Sequence, residues 1–141
     1  MLNDWLLYNK KDTVMDRSQV WKMLEEKNVA KVEIHFQGGN DEGGCDNIVL
    51  LDAEGKTIGE MNEWYEHKEW CPETEQWKVT NKPTDDDLLS KALCEPVYEK
   101  YYTFAGEFYV DGTLHWCVKD RLVTISASEE VSTWESFEEE V

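Results

Sequence analysis

Residues Val29 to Leu51 constrain the fold more tightly than any other stretch. From Val29 to Gln37 the chain alternates, with Val32, Ile34 and Phe36 on one side and Lys31, Glu33 and His35 on the other, the period of a half-buried strand. Ile48-Val49-Leu50-Leu51 is a second run of strand length. Between the two lies Gln37-Gly38-Gly39-Asn40-Asp41-Glu42-Gly43-Gly44-Cys45-Asp46, with four glycines in ten residues. Glycine at that density implies positive φ or a close approach of backbone to another group, so the expectation is a shaped acidic loop between two strands.

The neighbouring segments supply the rest of a layered domain. Asp52-Ala53-Glu54-Gly55-Lys56 has the residues of a hairpin turn, and Thr57 to about Tyr65 returns as the paired strand. A helix starts at Asp12/Thr13 or at Asp16, buries Val20, Trp21 and Leu24, and ends near Asn28. A second starts at Thr84, with Asp85, Asp86 and Asp87 at the positive end of its dipole, and buries Leu88, Leu89, Ala92 and Leu93; Pro96 ends or kinks it. Phe104 to Ser126 reads as a meander turned at Asp111-Gly112 and again near Lys119-Asp120. Two-residue turns would set Tyr109 opposite Leu114 and Glu107 opposite Trp116, then Trp116 opposite Val123 and Leu114 opposite Ile125. One face would then carry Tyr109, Leu114, Trp116, Val123 and Ile125, the other Phe108, Val110, Cys117 and Leu122 with His115 and Thr124. A sheet apolar on both sides needs a cover on both, by helices, by Trp5, Leu6, Leu7 and Tyr8 of the N-terminal segment, or by a second copy in a homodimer. Trp134 and Phe137 suit a short docked helix in the acidic tail, about residues 127–141. Residues 63–77, with Trp64, Tyr65, Trp70 and Trp77 among glutamates, fit no single regular element. The fold expected is one α+β domain over residues 1–141, an antiparallel sheet of five or six strands with two main helices.

Charge then narrows the functions. The formal net charge is −17, and its distribution is uneven. Residues 1–35 balance six acids against six bases; residues 36–75 hold eleven acids against Lys56 and Lys68; residues 122–141 hold six acids and no base. Direct nucleic-acid binding is disfavoured, because phosphate contacts require lysine and arginine and the chain has only two arginines, Arg17 and Arg121. No window reaches the length of a membrane span, the first residues lack the pattern of a signal peptide, and the four cysteines form no CxxC pair, so a reduced cytoplasmic protein is expected.

Enzyme signatures are missing. There is no Gly-x-Ser-x-Gly elbow and no SxxK, and the glycine stretch lacks the Lys-Ser/Thr of a P-loop while its Asp41 and Glu42 would repel phosphate. The reading assigns no catalytic residue and no cofactor.

Phe36-Gln37-Gly38-Gly39-Asn40-Asp41-Glu42-Gly43-Gly44 and Tyr102-Thr103-Phe104-Ala105-Gly106-Glu107-Phe108 resemble the strand-to-Gly-x-Gly-Asp-x-Gly loop and the aromatic Phe-Ala-Gly-Glu-Phe hairpin of an uncharacterised domain family of bacteria and phages. The likeness covers about half the chain. It implies a microbial or phage setting, in the host cytoplasm if phage-encoded, and no known activity.

The leading expectation is therefore a non-enzymatic acidic binding protein that engages the basic, nucleic-acid-binding surface of a host nuclease or defence complex and inhibits it by imitating nucleic acid. Asp41, Glu42, Asp46, Glu66, Glu69, Glu73 and Glu75 would carry the charge, with Trp64 and Trp70 as buried anchors. The alternative is a small metal-binding domain: zinc on a subset of Cys45, His67, Cys71, His115 and Cys117, or calcium on Asn40, Asp41, Glu42 and Asp46.

Overall fold

The computed structural model of the chain describes residues 15–65, 67–130 and 134–141. The packing expected of Trp5, Leu6, Leu7 and Tyr8 falls outside these residues. Helix α1 (Arg17–Glu26) starts at Asp16 in a capping box: the Asp16 carboxylate accepts from the Gln19 amide at 2.8 Å, and the Gln19 side chain accepts from the Asp16 amide at 2.9 Å. Strands β1 (Lys31–Gly39), β2 (Glu42–Leu51) and β3 (Thr57–Met61) follow, then a separate hairpin of β4 (Lys68–Cys71) and β5 (Gln76–Val79). Helix α2 (Asp85–Tyr101) starts at Thr84 in a second capping box and runs on through Pro96 instead of ending there. Strands β6 (Tyr109–Cys117), β7 (Leu122–Glu130) and β8 (Trp134–Glu140) complete the chain.

The result is an α+β fold. Six strands form one antiparallel sheet in the order β3-β2-β1-β6-β7-β8, and β4-β5 form a two-stranded sheet of their own. Both helices among the described residues lie on one face of the large sheet. There Val32, Ile34 and Phe36 of β1, Ile48 and Leu50 of β2, Val110, Leu114 and Trp116 of β6, and Val123 and Ile125 of β7 meet Val20, Leu24, Leu89, Leu93 and Val97 in one core. Trp116 joins the layers: Trp21 stands edge-on to it with ring centroids 5.1 Å apart, and its indole N–H donates to the Leu93 carbonyl at 2.9 Å.

Several expectations change. The glycine-rich stretch is not an extended loop but the end of a tight hairpin, in which Gly39 pairs with Glu42 and only Asn40 and Asp41 form the turn, at φ 52° and 70°. Positive φ at both central residues is the backbone of a type I′ turn, which Asn and Asp tolerate better than other side chains. Gly38 and Gly43 pair across the hairpin, and a Cβ built on either would lie 2.3–2.7 Å from the ring of Phe104, which is fully buried. They are glycines because an aromatic ring rests on them.

Asp111-Gly112 is strand and not turn. Gly112 has no positive φ; it is small because a Cβ there would meet Ala127 at 2.5 Å and the Phe36 ring at 2.8 Å. With that turn gone, the pairings of Tyr109 with Leu114 and of Glu107 with Trp116 fail. Those across the Lys119-Asp120 turn hold: Trp116 opposite Val123 and Leu114 opposite Ile125. Unbroken alternation then moves Val110 onto the core face with Leu114, while Cys117 and Leu122 stay on the outer face. The tail forms strand β8 and not a helix: Phe137 pairs with Ala127 and packs on the core while Glu138 and Glu140 face outward. The return strand β3 stops at Met61, well short of Tyr65.

Candidate functional site

The face of the sheet turned away from the helices is the largest feature that the core does not explain. Register places on it Lys31, Glu33, His35 and Gln37 of β1, with Asp111, Thr113 and His115 of β6. From β7 and β8 come Thr124, Ser126, Ser128, Glu130, Glu138 and Glu140, and from β3 Glu60. Among the described residues neither helix packs on it. The six strands contain one lysine, Lys31, and no arginine, so carboxylates outnumber basic side chains on the face.

Its best-defined group is a clamp of two carboxylates on one imidazole. His35 Nδ1 lies 2.5 Å from Asp46 Oδ2, and its Nε2 lies 2.8 Å from Asp111 Oδ1. A bulge positions Asp46: between the pairs Ile34 with Ile48 and Phe36 with Cys45, two residues of β2, Asp46 and Asn47, face the single residue His35. Partial burial pushes the His35 pKa down, but the hydrogen bonds and charges of Asp111 and Asp46 outweigh it, and the net effect holds the pKa above its ordinary value. Beside the clamp a shallow depression of about 550 Å³ runs along the hairpin, bordered by Gln37, Asn40, Glu42, Asp46 and Tyr109. Gly39, Gly43 and Gly44 also line it.

The residues expected to bind a partner divide between two hairpins. Asp41 and Glu42 are exposed at the tip of the first and Asp46 stands in the clamp. Glu69, Glu73 and Glu75 are exposed on the second, whose Trp70 and Trp77 stack edge to face 5.5 Å apart and remain 50% and 59% exposed. Trp64 is half-buried against α2, its amide donating to Ser90 Oγ at 3.0 Å and its ring under Lys91. Of the two expected anchors, then, Trp70 is presented outward and Trp64 is held in the body. Glu66 lies outside the described residues. Sequence reasoning missed Asp111, taken for a turn residue, and the outward row of β8.

The residues named for zinc are scattered. His67 and Cys71 lie on the second hairpin, where hydrogen bonds from Thr74 lower the Cys71 thiol pKa; His115 and Cys117 are on the open face, the latter with Sγ 3.5 Å from Asp120. Cys45 points the other way, into the domain. There Cys45 Sγ, Cys94 Sγ and a Glu63 carboxylate oxygen all lie within 4.8 Å of one another. Tyr98 donates to Glu63 Oε1 at 2.7 Å and Tyr65 to the same oxygen at 3.1 Å. Burial raises the Glu63 pKa, and the Tyr98 hydroxyl is raised first by burial and then by Glu63. The hydrogen bond with Cys45, followed by burial, pushes the Cys94 thiol far up. The period Ser90, Cys94, Tyr98 marks one face of a helix, but only the fold shows that Cys45 and Glu63 meet it. Among the described residues no helix is long and apolar enough to cross a membrane. No family model, no curated protein and no solved structure matches the chain.

Proposed function

We propose that this is a non-enzymatic acidic binding protein whose open sheet face and first hairpin tip engage a basic, nucleic-acid-binding surface on another protein. One observation carries the reading: among the described residues, the face of the sheet turned away from the helices presents Glu33, Glu60, Asp111, Glu130, Glu138 and Glu140, with Lys31 and His35 as its basic side chains. Carboxylates held on strands keep fixed spacings, because neighbouring strands lie about 4.8 Å apart and same-face residues about 7 Å apart along a strand. A fixed anionic lattice fits a surface built for phosphates, and its field speeds association. The shallow depression beside Asp46 suits the side chain of an arginine or lysine. Inhibition of a host nuclease or defence complex by a phage product is the setting that the resemblance of the two motifs favours.

The test is competition and salt. The protein is immobilised, basic proteins captured from a bacterial lysate are identified, and the Kd of the purified pair is measured across ionic strength with and without duplex DNA. The expected result is a Kd that weakens at least about tenfold from low to physiological salt and is raised by competing DNA. Glu138→Gln with Glu140→Gln, and Asp41→Asn with Glu42→Gln, should weaken binding while leaving the unfolding midpoint within experimental error. A Kd indifferent to salt, or all four substitutions binding as the parent does, would remove the proposal.

A further inference from the structure

The interior group at Cys45, Glu63 and Cys94 has no part in the acidic face, and its composition is unusual for a core. Three segments remote in sequence converge there: β2 brings Cys45, the segment after β3 brings Glu63, and α2 brings Cys94. Hydrogen bonds tie these segments together. The amide of Cys45 donates to the Tyr98 hydroxyl at 3.3 Å, the amide of Trp64 to Ser90 Oγ at 3.0 Å, and Ser90 Oγ to the Asp87 carbonyl at 2.7 Å. Cys94 is fully buried; Cys45 and Glu63 are half-buried. Lys91, whose charge acts on Glu63, lies over the Trp64 ring, 5.6 Å from its centroid.

We propose that Cys45, Cys94 and Glu63 form a binding site for a thiophilic divalent cation of the zinc class, with Tyr98 orienting the carboxylate. Two sulfurs and one carboxylate oxygen are a donor set that zinc takes, at about 2.3 Å to sulfur and about 2.0–2.2 Å to oxygen, which puts tetrahedral ligand atoms roughly 3.5–3.8 Å apart. The three atoms already lie within 4.8 Å of one another, so closing on an ion asks for movement of about 1 Å. The Tyr98 hydroxyl, bonded to Glu63 Oε1, fixes one carboxylate oxygen and leaves the other for the metal, as partners behind metal ligands do. Binding would convert both thiols to thiolates and release their two protons to solvent. The ion then turns a pair of thiols and a buried carboxylate into one cross-link between β2, the segment at Glu63 and α2.

The probes are Zn²⁺ and Co²⁺ added to the reduced, metal-stripped full chain. Expected are one equivalent bound with the release of about two protons, and for Co²⁺ the near-ultraviolet charge-transfer absorption of thiolate ligation. Cys94 is fully buried, so the test rests on the half-buried positions: Cys45→Ser and Glu63→Gln should each weaken Zn²⁺ binding at least tenfold, and Tyr98→Phe about tenfold. Cys71→Ser and His115→Ala should change nothing, and far-ultraviolet circular dichroism checks that every variant is folded. Absence of the thiolate band would overturn the site, because surface carboxylates binding Co²⁺ give none. So would a band that persists in Cys45→Ser, or a mass two hydrogens lower with both thiols lost, which would make the pair a disulfide.

Discussion

Gly38→Ala tests the account of the glycine hairpin. The new Cβ would lie 2.3 Å from Phe104 Cδ1 and 2.6 Å from Cγ, where carbon atoms in contact keep about 3.5 Å, so the ring must retreat by about 1 Å. It has little room. Phe104 is fully buried, stacks on Tyr101 with centroids 5.5 Å apart and planes 9° apart, and stands edge-on to Tyr98 at 6.4 Å. Its backbone is held too, since its amide donates to the Tyr101 carbonyl and its carbonyl accepts from the Asp41 amide. Overpacking of this kind costs about 1–3 kcal/mol, and complete loss of a buried phenylalanine about 3–5, which bounds it. Against this, alanine regains about 0.5–1 kcal/mol over glycine in a strand. The expected net loss is about 1–1.5 kcal/mol, a fall of roughly 0.5–0.7 M in the urea midpoint at an m-value of about 2 kcal/mol/M. Urea unfolding followed by tryptophan fluorescence measures it. Phe104→Leu in the same chain should relieve part of the strain, so the double variant should be more stable than the sum of the single effects by about 1 kcal/mol. A Gly38→Ala protein within about 0.5 kcal/mol of the parent, or strict additivity with Phe104→Leu, would refute the ring-on-glycine packing.

The histidine clamp and the interlayer tryptophan offer two further tests. His35 should titrate above its unfolded value of about 6.5 by NMR, and Asp111→Asn should lower that pKa. A folded-state pKa above the unfolded one stabilises fully below about pH 6.5 and loses that contribution as pH rises through the folded-state pKa, so the parent should lose stability in that window relative to His35→Gln. A His35 that titrates at or below 6.5 would show that the carboxylates do not dominate. Trp116→Phe removes the hydrogen bond to the Leu93 carbonyl and the volume of the second ring, and should cost about 2–3 kcal/mol in the same urea assay. A loss under about 1 kcal/mol would mean that the layers are held elsewhere.

What the sequence discloses is set by how local the cause is. The period of Lys31 to Gln37, the capping residues Asp16 and Thr84, and the turn at Asp52 to Lys56 are settled by neighbours a few residues away, and each appears in the fold. The glycines are different. Gly38, Gly43 and Gly112 carry the composition of turns, yet none has positive φ: they are small because Phe104, Phe36 and Ala127 come against them from distant parts of the chain. The same holds for the tail, where Trp134 and Phe137 fit a helical spacing but β7 presents an edge that a strand can pair with. The site divides likewise. The acidity of residues 36–75 and 122–141 is visible in composition, whereas its gathering with Asp111 onto one face depends on register, and the meeting of Cys45 with Glu63 and Cys94 on tertiary packing.

The bulge in β2 is what separates the acidic face from the thiol cluster. Ile34 pairs with Ile48; without the extra residue, His35 would pair with Asn47, Phe36 with Asp46 and Gln37 with Cys45. Because partners share a face, Asp46 would then turn with Phe36 into the apolar core and Cys45 would turn outward with Gln37. Burying a carboxylate beside Phe36 without a partner costs several kcal/mol, so that register is closed to this sequence. One inserted residue restores the order: Phe36 pairs with Cys45, which faces Cys94 and Glu63, while Asp46 reaches His35 on the outside. Two adjacent residues of one strand thereby serve opposite sides of the sheet. Cys45 and Asp46 are joined by a single peptide unit of β2, and any coupling between a cation inside and a basic partner outside must be equal in both directions.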